Sequence, residues 1–298
     1  MTDNRQAAVI GAFVADALSL GVHWVYNTGV IDKKFGRVER YYDPLTSYHK
    51  GKKAGDFTHY GDQMRVLLES VTANRGLDAT QFADTWRRFF ADYQGYFDKA
   101  TKTTLANMEM GNGLTTSGSD SDDLAGASRL AALLPAYADR VEDLVAAART
   151  QTALTHNHPS VIASAEFFAR AVDAVLAGQA PVAALEATLK DHFDQSPIAQ
   201  SIIRGLESRN RNTREVIADF GQMCSVEAGL PSAIHLIARY ADDYKTAMVE
   251  NVMAGGDSSA RGILAGMILA AAHGMSAIPD AWTNEMAAAE RIKALLNG

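Results

Sequence analysis

Residues Gly255–Gly274 read GGDSSARGILAGMILAAAHG. Ile263, Leu264, Met267, Ile268 and Ala271 recur at the three-to-four-residue spacing that gives a helix an apolar stripe. Gly274 supplies a stop, because glycine adopts the left-handed turn that ends helices. The same pattern recurs along the chain, in Ala7–Leu20, Asp62–Ala73, Gln81–Tyr93, Leu124–Tyr137, Val141–Thr152, Val161–Gly178, Ser196–Ser208 and Pro231–Tyr240. No run alternates apolar and polar residues as a half-buried strand would. The expected fold is all-α, a single compact multi-helix domain over residues 1–298. Two stretches lack period and read as loops: Asn27–Thr58 and Gly111–Asp123. Long loops in a compact domain are frequent carriers of function.

Composition narrows the function classes. The chain has 298 residues, 47% hydrophobic and 21% charged, which is ordinary for a globular protein with a large core. Its formal net charge of -7 argues against nucleic acid, whose phosphates require clustered Lys and Arg. No apolar run reaches the roughly 18 residues of a membrane span. Met1–Gln6 lacks the basic start and apolar run of a signal peptide. The lone Cys224 has no cysteine partner in the chain, so a reducing, cytoplasmic setting is expected.

The candidate chemistry lies at helix entrances. Asp257 follows Gly255-Gly256, and Asp62 follows Gly61. Glycine lets backbone and ligand approach closely. Each aspartate has a plain reading as a helix cap. Together, on two loops that feed helices, they suit a divalent cation and an anionic sugar ligand, with Ser258 as a neutral oxygen donor. Mg²⁺ and Mn²⁺ take such oxygens. His23, where the first helix pattern ends, and His156, in Thr155-His156-Asn157-His158, are candidate proton carriers, since imidazole titrates near neutral pH. His156 and His158 are two apart and cannot share a helix face, so they do not form a zinc pair. The alternative for this stretch is a polar helix entry capped by Asn157 or Ser160. The Gly111–Asp123 loop is a candidate to present backbone amides to a phosphate, opposed by Asp120, Asp122 and Asp123, with Arg129 either as a compensating cation or in a surface ion pair.

In order, these motifs resemble the ADP-ribosylglycohydrolase family over nearly the whole chain, Gly11 to about Trp282. Ala15-Asp16-Ala17-Leu18-Ser19, running on to His23, resembles the family's early Gly-Asp-Ala-Leu-Gly stretch. Gly61-Asp62-Gln63-Met64 stands for its Thr-Asp-Asp-Thr metal motif. Ser117-Gly118-Ser119 with Arg129, and then Thr155-His156, resemble its phosphate loop and Thr-His element. Gly255-Gly256-Asp257-Ser258-Ser259-Ala260 stands for Gly-Gly-Asp-Thr-Asp-Thr.

The resemblance implies an all-α hydrolase. Family members often use two Mg²⁺ or Mn²⁺ ions to cleave the glycosidic bond of an ADP-ribosyl compound. Here Gln63 and Ser259 stand in place of carboxylates, and His23 falls where the family has a glutamate. Two carboxylates under-neutralise two divalent ions, so one Mg²⁺ or Mn²⁺, or none, is expected. Depleted motifs of this kind are similar to the family's lens-crystallin branch. Three readings follow: a hydrolase acting through Asp62, Asp257, His23 and His156; a non-catalytic binder of ADP-ribose or a nucleotide through Ser117, Gly118, Ser119, Arg129, Gly255 and Gly256; or a structural protein.

Overall fold

Helix Ser258–His273 is buried on all sides from Ser258 to Ala271. A helix apolar all round belongs at the centre of a core rather than at its surface. Small residues let its neighbours approach. A Cβ on Gly11 would sit 2.5 Å from the Ala270 Cβ, and one on Gly266 would sit 2.8 Å from the Gly11 carbonyl. Helix Asp3–Leu20 therefore lies directly against the central helix. Helices Val226–Arg239, Tyr244–Met253 and Pro159–Leu176 complete the surround. The computed structural model describes residues 3–297; Met1, Thr2 and Gly298 lie outside it. Among the described residues there are only isolated β-bridges and no strand, so the all-α expectation holds.

Loop Gly111–Asp123 is irregular, as its composition predicts. The expectation for Asn27–Thr58 needs correction. It contains helix Thr28–Phe35, capped by the Asn27 side chain, and a 3₁₀ turn at Ser47–His49. Only Ile31 of that helix is buried, so one apolar position anchors it and no apolar stripe marks it in the sequence.

Three features position the site. Helix His59–Asn74 starts at the Thr58 cap, whose hydroxyl accepts from the Tyr60 amide. The helix thus begins three residues before the apolar pattern that the sequence shows from Asp62. Helix Lys99–Glu109 is capped by Asp98, which accepts from the Thr101 amide. Gly255 and Gly256 both have positive φ, 69° and 68°, and deliver Asp257 to the start of the central helix. A Cβ on Gly256 would lie 2.3 Å from the Gln222 carbonyl, so glycine is required there on steric and conformational grounds.

Candidate functional site

Asp257 stands at the N-cap of the central helix, yet its carboxylate makes no capping bond. It points away from the helix instead. Oδ2 accepts from the Trp24 indole at 3.1 Å and the Tyr60 hydroxyl at 3.0 Å. Oδ1 lies 3.3 Å from His23 Nε2, and neither of these buried atoms has a hydrogen bond of good geometry. On its other ring nitrogen His23 meets His49 at 2.9 Å. Burial opposes charge on Asp257, but His23 and the Trp24 N–H outweigh it and hold the carboxyl below the usual range.

The Tyr60 hydroxyl also reaches Asp123, at 3.2 Å. Asp123 is driven the other way. Burial, and then the neighbouring charge of Asp257, raise its pKa well above that of an ordinary carboxyl. Asp123, Cys224 and Asp257 each bring one atom within 4.8 Å of the others, forming a group of three potential ligands. Burial, then Asp123 and Asp257, push the Cys224 thiol far up, so it remains protonated.

Above this floor opens a cleft of about 600 Å³. Its walls include Trp24, Tyr26, Tyr48 and Tyr96, and Asp123 and Ser119 lie among its lining. Asp98, Asp120 and Asp122 also face it, against Lys99.

The other predicted residues are placed as follows. Asp62, on the first turn of its helix, accepts from Lys52 at 2.5 Å and Tyr93 at 2.6 Å. It shares no bonding partner with Asp257. The residue of that turn which reaches Asp257 is Tyr60. Gly61 leaves space for a different carboxylate, since a Cβ there would lie 2.1 Å from Asp16 Oδ2. Asp16 is fully buried and bonded to the Thr58 amide and hydroxyl and to Ser259. Ser258 Oγ is buried without a partner among the described residues. Ser117 closes its own loop onto the Asn112 and Gly113 carbonyls. Gly118 lies against the Ala153 carbonyl, where a Cβ would come to 2.0 Å. Gly255 and Gly256 are held in the backbone, with the Gly256 amide donating to Val25. His158, rather than Asn157 or Ser160, caps helix Pro159–Leu176.

Arg129 is buried and bonds Gln63, Gln151 and Thr155. Burial lowers its pKa to about 10, so it remains a cation. His156 lies beside Thr155, and burial, followed by Arg129, pushes its pKa down to about 3. A neutral imidazole at physiological pH is the result. The sign of the linkage follows. Unfolded histidine titrates near 6.5. Between about pH 6.5 and 3 the unfolded chain therefore binds a proton that the folded chain refuses, and this group's contribution to stability falls on acidification. In urea unfolding, His156→Gln is expected to flatten the stability profile by about 1.4 kcal/mol per pH unit between pH 6 and 4.5. Parallel profiles for the two proteins would contradict a neutral buried His156.

Sequence reading missed Asp123 as a site carboxylate, and also His49 and Asp98. One signal was available: Asp16 breaks an otherwise apolar helix, and a carboxylate in a buried stripe needs partners.

Two Mg²⁺ or Mn²⁺ ions call for several carboxylate and water oxygens. The converging group here contains a thiol, one carboxyl that holds its proton, and one carboxylate already bonded by Trp24 and Tyr60. This donor set does not fit a dinuclear hard-cation centre.

The family model for ADP-ribosylglycohydrolase matches residues 2–297. The chain belongs to the ADP-ribosylglycohydrolase family. It is 23% identical to crystallin J1A of Tripedalia cystophora over 297 residues, covering 94% of this chain and 91% of that protein. An uncharacterized protein of Archaeoglobus fulgidus is 24% identical over 285 residues, covering 95% and 91%. A solved structure described as an ADP-ribosylglycohydrolase-related protein complex superposes with a TM-score of 0.79 at 24% identity, over 99% of this chain and 95% of that one. That likeness concerns the fold. Among the described residues no helix is long and apolar enough to cross a membrane.

Proposed function

We propose that this chain hydrolyses the glycosidic bond of an ADP-ribosyl or related N- or O-linked compound, using its own carboxylates in place of a pair of metal ions. The observation that carries this is the Tyr60 hydroxyl bridging Asp123 and Asp257, one carboxyl held protonated and the other ionised. Paired carboxyls whose pKa values are driven apart are the usual basis of acid catalysis beside a fixed anion. Asp123 lines the cleft and donates its proton to the departing nitrogen or oxygen. Positive charge develops on the sugar ring as the bond breaks. Asp257, just below, stabilises that charge and keeps Asp123 protonated beforehand. Water entering from the cleft adds its oxygen to the anomeric carbon and gives a proton to the Asp123 carboxylate, which restores the acid. Lys99, in the cleft lining, and Lys102, over the Tyr96 ring, stand on the first turn of helix Lys99–Glu109 as cations for a diphosphate.

The test is release of ADP-ribose from N- and O-linked ADP-ribosyl compounds, followed by chromatography in the presence of EDTA. Turnover in EDTA is expected, with at least a roughly 100-fold loss in Asp123→Asn, the scale of general acid catalysis. Turnover that requires added Mg²⁺ or Mn²⁺, or that survives Asp123→Asn, would overturn the assignment.

A second reading is binding without hydrolysis. The Lys52–Asp62 pair and the crystallin relatives favour it. Calorimetric heat with ADP-ribose but no product would support that reading.

A further inference from the structure

The geometry points to a binding site for a compact alkylated ammonium cation in the mouth of the cleft, walled by Trp24, Tyr26, Tyr48 and Tyr96. The inference rests on these walls and not on the acid–anion pair below, so it stands apart from hydrolysis.

Trp24, Tyr48 and Tyr96 stand edge-to-face, each against the other two. Trp24 meets Tyr48 at 5.0 Å and 85°, and Tyr96 at 4.9 Å and 75°. Tyr48 meets Tyr96 at 5.5 Å and 83°. Three rings at near right angles present the corner of a box. The negative faces of such rings attract a cation whose methyl groups have already weakened its hydration. Tyr26 and Tyr48 are each half exposed, so their rings remain open to a ligand.

The box is fixed in place. Trp24 has φ 63°, in the left-handed region that a bulky side chain rarely enters. Its amide donates to the Gly256 carbonyl at 2.9 Å, and its indole N–H to Asp257. Those two bonds hold the indole against the wall despite the backbone cost, and such strain is concentrated at functional sites.

Charge selects the sign of the ligand. Asp98, Asp120 and Asp122 share the lining with Lys99, and the Lys102 ammonium lies 5.9 Å from the Tyr96 ring centroid. Asp98 bonds its own helix amide and faces His59, whereas Asp120 and Asp122 are exposed at the rim. The carboxylates outnumber the lysines at this rim, and the field there favours a cation.

The test uses choline, tetramethylammonium and the neutral choline isostere 3,3-dimethyl-1-butanol, with binding read by calorimetry and by indole fluorescence. Choline and tetramethylammonium are expected to bind, choline about tenfold tighter than its isostere, the ratio that one desolvated cation–π contact supplies. Tyr48→Leu should lower choline affinity about tenfold with an unchanged melting temperature. Should Tyr48→Leu fail to fold, the half-exposed Tyr26→Leu gives the same readout. Equal affinity for choline and its isostere would reduce the box to a hydrophobic pocket and overturn the proposal. Binding of ADP-ribose with no response to either cation would also overturn it. Choline binding without turnover would leave this site standing while the hydrolytic reading fails, and turnover without choline binding would do the reverse.

Discussion

Asp257→Asn is expected to lower kcat for ADP-ribosyl hydrolysis by about 10²- to 10³-fold with a smaller change in KM, the cost of removing one preorganised electrostatic group. The substitution keeps the shape and the capacity to accept from Trp24 and Tyr60, and removes the charge. Two effects then combine. The ring cation of the transition state loses its nearest anion. Asp123 loses the larger of the two neighbouring charges that, after burial, keep it protonated, Asp98 being the other, so its pKa falls. The pH–rate profile therefore changes as well as its height: the limb on which activity is lost as Asp123 deprotonates should move to lower pH. A merely structural role would lower activity without moving that limb. Full activity in Asp257→Asn would remove the site from Asp257 altogether.

Arg261→Met is expected to destabilise the fold by about 3–5 kcal/mol, the range for stripping a partner from a buried charged network. Arg261 is almost wholly buried on the first turn of the central helix. Its Nε donates to the Asn251 side chain at 2.7 Å, and Nη1 to the Asp257 carbonyl at 3.0 Å. Nη2 donates to the Asn251 and Gly255 carbonyls. Methionine replaces the apolar stem but not the guanidinium, and leaves buried oxygens without that donor, each at a cost of about 1–3 kcal/mol. It also releases the two-glycine turn that aims Asp257. Burial lowers the Arg261 pKa to about 10, still high enough to keep the charge at neutral pH. Calorimetric melting is the measurement, with a fall on the order of 10 °C expected. Arg261→Lys should recover little, because a point ammonium cannot reach carbonyls in several directions. A lysine variant that melts with the wild type would show that the fork geometry is immaterial.

The sequence made the helices legible wherever one face is apolar. Asp3–Leu20, Val141–Ala153 and Ser258–His273 follow their stripes closely. It was poorer for helices held by few anchors, such as Thr28–Phe35, and for Lys99–Glu109, where only Ala100, Thr101 and Thr104 are buried. The site divides in the same way. Asp257 and His23 were found because glycines and a helix end mark them, and the structure brings them together. Asp62 was marked by the same logic, but two residues along a helix turn through about 200°. Its side chain is accordingly directed to Lys52 and Tyr93, while Tyr60 reaches Asp257. Asp123 was read as a charge opposing phosphate. Its partner, Asp257, is 134 positions away in the chain, and no local pattern encodes that meeting.

The short bridge between Val25 and Gly256 has a consequence for biosynthesis. It fastens two segments 231 positions apart, the earlier of which is synthesised well before the later. A polypeptide emerging from the ribosome carries Trp24 and His23 long before Asp257 exists to receive them. Until then the indole has no reason to hold its left-handed backbone, and the aromatic walls have no fixed corner. Distant pairings of this kind slow folding, because a long loop must close first. Ligand recognition should therefore switch on late and abruptly, once translation passes the final motif, and chains released prematurely before that point should remain silent.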